Sequence, residues 1–265
     1  VEECGVDADG IIELRSVESA LTPDVALLSI MHANNEIGTL QPITEVAALC
    51  RARGILCHTD AVQSAGKVPL DVKALGVDLL ALSGHKVNAA KGVGALYVRR
   101  GVRLSQVVTG HQEKNRRGGT ENVAAIVGFG VACELAGREL SKAETCLARR
   151  KRLEQGVLRT PGSRLNGHRE KRLPNCAHFS FEGVEGHHLV IALDLEGVCV
   201  SGGPACASGA SIASHVLTAM GCDERLATGS IRVSMGWGTR ESDLDRFLQV
   251  LPRAVEKLRR IPAAL

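Results

Sequence analysis

The sequence predicts an α/β fold in which a large sheet domain is followed by a smaller α+β domain. Strand-like and helix-like segments alternate through the first hundred residues, and the short apolar runs there end in polar residues. Runs of this kind are typical of strands in a sheet that is covered on both faces. We therefore expect a large domain over residues 1–122, a linking helical region over 123–160 and a small domain over 161–265.

The large domain contains four predicted strands and one clear helix. Residues 42–53 show helical spacing, and Gly54 follows as a stop signal. In α/β sheets, ligands bind outside the carboxyl ends of the strands, so the polar residues that follow each run mark a candidate site. The predicted strands are Val25–Met31, Ile55–His58, Val77–Leu82 and Val93–Val98.

The second half of the chain mixes helices and strands. We predict a long helical region over 123–159, with Gly137 as the candidate position for a break, and a last helix that starts after Thr239 as its N-cap. The other predicted elements are the strands Ala177–Phe181, Val198–Ser201 and Ser230–Ser234 and the helices His187–Leu195 and His215–Met220.

Composition and charge exclude several classes of protein. The 265 residues are 45% hydrophobic and 23% charged, which is ordinary for a globular domain. The net charge is +3 and is spread along the chain, so the basic run 149–152 indicates a solvated helix face rather than nucleic-acid binding. No apolar stretch reaches the roughly 18 residues of a membrane span, and no signal peptide is visible. The chain begins with Val1, and we expect that an N-terminal portion is absent or lies on another chain.

The cysteines point to a reducing compartment. There are nine, and none forms a CxxC pair or a Cys/His spacing typical of zinc, so no metal site is expected. Several, such as Cys50, Cys57 and Cys133, lie in apolar runs and are predicted to be reduced core residues. This usage fits the cytoplasm or, in a eukaryote, the mitochondrial matrix.

The first chemical signal is the segment Ser83-Gly84-His85-Lys86 at the end of a predicted strand. A lysine there is costly to bury unpaired, and a desolvated lysine readily loses its proton and can form a Schiff base with an aldehyde. The preceding serine and histidine can donate hydrogen bonds to a phosphate. These residues match the needs of a pyridoxal phosphate site, although a lysine in such a tripeptide is more often simply exposed.

Asp60 strengthens that interpretation, because it ends a neighbouring predicted strand. A pyridoxal enzyme needs a carboxylate that keeps the ring nitrogen protonated, so that the ring can act as an electron sink. Asp60 precedes Lys86 by one strand–helix–strand unit, so both can reach one cofactor. The alternative role of Asp60 is that of a turn or cap residue.

Several longer motifs resemble those of the NifS/IscS-like cysteine desulfurases. These are fold-type I pyridoxal-phosphate enzymes of the aminotransferase class V group. The resemblance runs from about Val25 to Phe247, with all motifs in the family's order. The motifs are MHANNEIGTLQPI, HTDAVQSAGKVPLDV, LSGHKVNAAKGVGALYVRRG, GHQEKNRRGGTEN, SGGPACASGASIASHVLTAMG and SIRVSMGWGTRESDLDRF.

By position, this resemblance implies the residues that bind the cofactor, pyridoxal 5'-phosphate. Lys86 would hold it covalently, and Asp60 would pair with its ring nitrogen. Gln63 would donate to the ring oxygen. Ser83 and His85 would bind the phosphate group. The fold implied is the fold-type I large-domain sheet, N-terminally incomplete, with a smaller α+β domain after it.

The resemblance also implies substrate-binding residues and a dimer. Asn35 would lie beside the cofactor and the substrate carboxylate, and Arg232 would clamp that carboxylate as a planar bidentate donor. Thr120 would reach the phosphate bound by a neighbouring subunit, which implies a homodimer. The alternative role of Arg232 is a surface ion pair on a strand.

Cys206 would be the nucleophile, since it lies in a segment rich in Gly, Ala and Ser rather than in an apolar run. Free L-cysteine would bind, Lys86 would move its Cα proton, and the Cys206 thiolate would take the substrate sulfur. L-alanine would leave, and the persulfide would pass to an acceptor such as an iron–sulfur scaffold or a tRNA thiolation protein. The alternative role of Cys206 is that of a small loop residue.

The sequence departs from the family pattern in three places. The upstream Gly/Ala-Thr phosphate-binding turn and the ring-stacking histidine are not found before Asn35. Pro204 and Ala207 replace the usual Ser and Thr, and Ala90 replaces a usual Pro. Two other functions therefore stay open: a selenocysteine lyase with a similar site, and a non-catalytic dimerisation partner made from an incomplete enzyme.

Overall fold

The computed structural model describes residues 1–202 and 213–260. It contains ten helices and eight strands within these ranges. The helices are α1 (Leu14–Ala20), α2 (Ile43–Ala52), α3 (Val72–Leu75), α4 (Gln112–Asn115), α5 (Val123–Glu139), α6 (Ala143–Val157), α7 (Gly186–Asp194), α8 (His215–Ala219), α9 (Glu224–Thr228) and α10 (Glu241–Arg259). The strands are β1 (Leu27–Met31), β2 (Leu56–Asp60), β3 (Leu79–Ser83), β4 (Gly94–Val98), β5 (Ser163–Asn166), β6 (Cys176–Phe181), β7 (Ser201–Gly202) and β8 (Ser230–Ser234).

The chain forms two compact units that interleave along the sequence. The first-sheet unit comprises Val17–His32 and Pro42–Ser141, and the second-sheet unit comprises Val1–Ser16, Ala33–Gln41 and Lys142–Leu265. The sequence suggested consecutive segments with boundaries at residues 122 and 160 instead. The short stretch Ala33–Gln41 could not be assigned from its own pattern, because its membership depends on long-range contacts.

The first-sheet unit is built on the sheet β1-β2-β3-β4. Strands β1, β2 and β3 are parallel, and β4 pairs antiparallel with β3. Coverage of both faces, as predicted from the apolar strands, is incomplete at the two edges. Leu27 on β1 is 46% exposed and Leu96 on β4 is 50% exposed, because each lies on an edge strand of a four-stranded sheet.

The second-sheet unit is built on an antiparallel sheet of order β5-β6-β8-β7. Alternate residues of β6 divide between two environments, as strand geometry requires. Ala177, Phe179 and Phe181 belong to the apolar core with residues of α6, α7 and α10. The other set, which includes His178, is also buried and carries polar groups.

Most predicted elements are present, with differences at their ends. The helical region 123–159 is two helices, α5 and α6, separated by the 3-10 turn Leu140–Lys142. Thr239 is not the N-cap of α10. Its hydroxyl accepts from the amide of Gly236 at 2.9 Å, while Arg240 holds the cap position and its amide donates to Asp243 at 2.8 Å. In the described part of the chain, no helix has both the length and the apolar character that a bilayer span needs.

Candidate active site

The carboxyl ends of three parallel strands gather the predicted cofactor residues of the first-sheet unit. Asp60 is the last residue of β2, and the 3-10 turn Gly84–Val87, which carries Lys86, follows β3 directly. Since β2 and β3 are parallel, with Asp60 opposite Ala81, both strands end at one edge of the sheet. The structure therefore brings Asp60 and Lys86 to the same edge, as predicted.

Asp60 combines a turn role with an available carboxylate. Its Oδ1 accepts from the amide of Val62 at 2.8 Å, which closes the turn after β2. Its carbonyl oxygen accepts from the amide of His32 at 2.8 Å, which ties the ends of β1 and β2 together. Asp60 therefore does act as a turn residue, which was the alternative considered from the sequence. The hydrogen bond from Val62 orients the carboxylate through Oδ1 and leaves Oδ2 available for a ligand.

Ser83, His85 and Lys86 form a compact polar turn. Ser83 Oγ and His85 Nδ1 lie 2.8 Å apart. Lys86 and His85 are both exposed. In this structure the Lys86 side chain lies in solvent, and its covalent role towards the cofactor stays a prediction. Lys67 Nζ donates to the carbonyl oxygen of Lys86 at 3.2 Å and holds the backbone of the turn.

Two glycines keep the backbone of this turn close to β4. A Cβ on Gly94 would lie 2.6 Å from the carbonyl oxygen of Leu82. A Cβ on Gly84 would lie 3.0 Å from the carbonyl oxygen of Val93, and the Gly84 amide donates to that same oxygen at 2.9 Å. The glycines of this motif therefore allow a close backbone approach beside Lys86.

His32 is a site residue that the sequence reasoning missed. It follows β1 directly and is 9% exposed, and its Nδ1 has no hydrogen-bond partner among the described residues. Burial lowers the pKa of the His32 imidazole, so the ring is neutral at physiological pH. Its position next to a strand end was visible in the sequence, but its burial was not.

Gln63 and Thr120 lie in the same unit. Gln63 is half-buried in the turn that follows β2, and Thr120 is exposed before α5. The loop before Thr120 depends on Gly118, whose amide donates to the carbonyl oxygen of Val108 at 2.7 Å. Within residues 1–202 and 213–260, no hydrogen bond joins Thr120 to Asp60, so its predicted role stays a prediction.

In the second-sheet unit, the turn Asn34–Gly38 is held by two arginine side chains, one from strand β8 and one from the segment between β5 and β6. Arg232 Nη1 donates to the carbonyl oxygen of Asn35 at 2.7 Å. Arg172 Nη2 donates to the carbonyl oxygen of Ile37 at 2.6 Å. Within the turn, Asn34 Oδ1 accepts from the amides of Glu36 and Ile37 at 2.9 and 3.0 Å. The structure thus joins Asn35 and Arg232, the two predicted substrate-binding residues.

Arg232 is the centre of a polar row that crosses all four strands of the second sheet. Asn166 lies opposite His178, His178 opposite Arg232, and Arg232 opposite Ser201. Asn166 Nδ2 and His178 Nδ1 lie 3.0 Å apart, and Arg232 Nη2 donates to Ser201 Oγ at 3.3 Å. Arg232 is half-buried and makes no ion pair with any described residue, so the surface ion pair considered for it is not present.

His178 is neutral within this row. Burial, reinforced by the charges of Arg172 and Arg232, lowers the pKa of His178 to about 3. A neutral imidazole can accept a hydrogen bond from Asn166 without adding a third positive charge. The sequence showed His178 only as one residue in a predicted strand, and no local signal revealed its neighbours.

A buried ionic cluster supports the backbone beneath the turn. Glu154 lies 3.2 Å from Arg150 Nε and 3.7 Å from Arg172 Nη1. Arg150 Nη1 also donates to the carbonyl oxygen of Leu173 at 2.8 Å. Arg150 belongs to the basic run predicted to be a solvated helix face, and that prediction was wrong for Arg150, which is 1% exposed.

Two further groups bear on the predicted chemistry. Cys206, together with Pro204 and Ala207, lies outside the described residues, so its role stays a prediction. Among the described residues, Glu185, His187 and His188 place ligand atoms within 4.8 Å of one another, but all three are exposed at the start of α7.

The chain resembles curated proteins over nearly its whole length. It is 46% identical to cysteine desulfurase 2 of Trichormus variabilis over 258 residues, which cover 97% of this chain and 65% of that protein. It is also 46% identical to the cysteine desulfurase IscS of Methanosarcina thermophila, covering 96% of this chain and 63% of that protein. The chain therefore spans about two thirds of the length of these relatives.

Solved structures share its fold. A NifS-like protein superposes with a TM-score of 0.88 at 36% identity, covering 97% of this chain and 68% of that chain. A structure of SspA in complex with cysteine superposes with a TM-score of 0.72 at 33% identity, covering 87% of this chain and 65% of that chain. The family model for aminotransferase class V matches residues 1–247. With its motifs, its sheets and this match taken together, the chain belongs to the aminotransferase class V family.

Proposed function

We propose that the protein is a pyridoxal-phosphate-dependent cysteine desulfurase, which converts L-cysteine to L-alanine and carries the sulfur on Cys206. The observation that carries this proposal is the hydrogen bond from Arg232 to Asn35, because it joins the two residues expected to recognise the substrate carboxylate. The names of the relatives support the same reaction. Because the chain covers only part of their length, the activity of the complete enzyme remains a proposal.

The residues of the first-sheet unit fit the proposed cofactor. A buried His32 Nδ1 without a partner among the described residues, and the Asp60 carboxylate, both lie at strand ends where a polar aromatic ligand can use them. Lys86 would bind the cofactor, Asp60 would hold its ring nitrogen, and Ser83 and His85 would bind its phosphate. When bound, the cofactor supplies an electron sink for the carbanion formed at the substrate Cα.

Each protein residue then has a defined task. Arg232 holds the carboxylate of L-cysteine through its free guanidinium N–H groups. Lys86 Nζ, as a neutral amine, accepts the Cα proton and returns it. The Cys206 thiolate attacks the substrate sulfur, an S–S bond forms, and the Cβ–S bond breaks with its electron pair left on carbon. Proton uptake at that carbon yields L-alanine, and Cys206 carries the persulfide.

The proposal extends to partners and compartment. The acceptor of the persulfide sulfur would be an iron–sulfur scaffold or a tRNA thiolation protein. A homodimer is supported by an apolar stripe on α5, where exposed residues recur at every fourth position: Val123, Val127, Val131 and Leu135. A reducing compartment, cytoplasm or mitochondrial matrix, is supported by the eight described cysteines, all of which are free thiols.

The direct test is turnover. Purified protein with pyridoxal phosphate, L-cysteine and a reductant should release sulfide and alanine. Cys206→Ala should abolish sulfide release while keeping the visible cofactor band, and Lys86→Ala should remove that band. The matched control is Cys199→Ala, since Cys199 is an exposed thiol of the same unit and its loss should leave turnover unchanged.

Three results would contradict the proposal. Normal turnover by either Cys206→Ala or Lys86→Ala would exclude the assigned roles. Absence of the cofactor band in the unmodified protein would favour the non-catalytic dimerisation partner instead. Faster turnover of selenocysteine than of cysteine would identify the selenocysteine lyase.

A further inference from the structure

Glu36 is a buried carboxylate that the proposed chemistry does not use. It is 1% exposed and lies in the Asn34–Gly38 turn, next to Asn35. Its Oε2 accepts from the hydroxyl of Ser214 at 2.6 Å, which is at the short end for a hydrogen bond between two oxygen atoms. A polar group is expensive to bury without a partner, so this hydrogen bond indicates that the position of Glu36 matters.

Ser214 marks the start of α8. It is 1% exposed, and its Oγ also accepts from the amide of Leu217 at 3.3 Å as the N-cap of the helix. One hydroxyl therefore caps α8 and donates to Glu36. In the sequence, α8 is the helix that follows the segment containing Cys206.

An apolar contact reinforces the polar one. Ile37, the residue after Glu36, is fully buried in a cluster with Leu217 and Met220 from α8 and its C-terminal end. The Asn34–Gly38 turn is thus attached to α8 by a short hydrogen bond and by packed side chains. The same turn accepts a hydrogen bond from Arg232 through the carbonyl oxygen of Asn35.

We propose that Glu36 and Ser214 are positioning residues for the sulfur-transfer step. Their hydrogen bond fixes α8, which follows the nucleophile Cys206 in the chain, to the turn that contacts the carboxylate-binding Arg232. This inference rests on the proposed desulfurase function and assigns to it two residues that touch neither substrate nor cofactor. It makes substrate binding and sulfur transfer separable by mutation.

The experiment compares Glu36→Leu and Ser214→Ala with the unmodified holoenzyme. Glu36→Leu removes the acceptor of the Ser214 hydroxyl and keeps the N-cap of α8 intact, whereas Ser214→Ala removes both the cap and the bond to Glu36. We expect the kcat of sulfide release to fall about tenfold to a hundredfold in both variants, as for a misplaced reacting group. The KM for L-cysteine and the cofactor absorbance change on mixing with L-cysteine should stay close to those of the unmodified enzyme.

Two controls separate positioning from general stability. Ser163→Ala removes a half-buried hydroxyl that donates to the carbonyl oxygens of Val157 and Thr160, and it should leave kcat unchanged. The double variant Glu36→Leu with Ser214→Ala should lose little more than Ser214→Ala alone, because both changes break the same hydrogen bond. Ser214→Thr retains the hydroxyl and should recover most of the kcat.

A second readout does not depend on turnover. Alkylation of Cys206 by iodoacetamide, measured by peptide mapping against the exposed Cys199, should become faster in Glu36→Leu and stay unchanged in Ser163→Ala. If the unmodified protein releases no sulfide, the proposed function fails, and the alkylation rates still decide the attachment of α8. The inference would be overturned if Glu36→Leu released sulfide and was alkylated at the rates of the unmodified protein, or if the losses in the double variant were additive.

Discussion

The guanidinium of Arg232 donates through Nη1 to the carbonyl oxygen of Asn35 at 2.7 Å, across 197 positions of sequence. The bond uses the main chain of Asn35, so the Asn35 side chain remains available for a ligand. Nη2 of the same arginine donates to Ser201 on the neighbouring strand β7. The planar group is therefore oriented from two sides before any substrate arrives, which is the preorganisation that carboxylate recognition needs.

Arg232→Lys tests this arrangement. An ammonium group cannot donate to Asn35 and Ser201 together while keeping a bidentate face for a carboxylate. We expect the KM for L-cysteine to rise about tenfold or more, with the cofactor band unchanged. The measurement is steady-state sulfide release. Arg246→Lys, at an exposed arginine that pairs with Glu196, is the control and should behave like the unmodified protein.

Asp60→Asn separates the turn role of this residue from its charge. The amide oxygen of asparagine can still accept from Val62, so the melting temperature should change little. The loss of negative charge should weaken the electron sink and lower kcat by about a hundredfold or more. A kcat within twofold of the unmodified enzyme would show that Asp60 is only a turn residue.

The sequence predicted the placement of polar residues at the strand ends well, because this placement depends on local order. The strand Ser230–Ser234 was predicted with its observed limits, and Asp60 and Lys86 were placed at one sheet edge from the strand–helix–strand pattern alone. Five short elements, α1, α3, α4, β5 and α9, were not predicted. Each is seven residues or fewer, which is too short for periodicity to stand out.

The second-sheet half of the site could not be predicted in the same way. The polar row depends on the register of β6 against β5 and β8, and no local signal encodes pairing between residues as distant as His178 and Arg232. The exposure of Lys86 was not predictable either, because a position at a strand end does not decide whether a side chain is buried. His32 was passed over because a neutral buried histidine and an exposed one look the same in sequence.

Gly94→Ala tests the close approach of β4 to the turn that bears Lys86. The new methyl group would lie 2.6 Å from the carbonyl oxygen of Leu82, and a backbone atom cannot move aside as a flexible side chain can. We expect a loss of about 1–3 kcal/mol in the free energy of unfolding, measured by urea denaturation.

The control for this change is Gly128→Ala on α5, where an added Cβ meets no atom within 4 Å. It should stabilise the protein by up to about 1 kcal/mol, because alanine favours the helix. Equal effects of the two substitutions would contradict the steric account of Gly94.

His178 should make the protein sensitive to acid. Its pKa is lowered from the ordinary 6.5 to about 3 in the folded state, so between these values the unfolded chain binds a proton that the folded chain does not. Stability contributed by the neutral ring is complete above pH 6.5 and is lost as the pH falls towards 3. The loss is at most about 5 kcal/mol, which is the pKa shift multiplied by the free energy that corresponds to one pKa unit.

His178→Asn tests this account by denaturation at successive pH values. The free energy of unfolding should depend less on pH over this range than in the unmodified protein. A residual slope is expected, because burial also lowers the pKa of His32 and His58. His111→Gln, at an exposed histidine, should keep the full dependence, and an equal flattening in both variants would rule out His178 as its source.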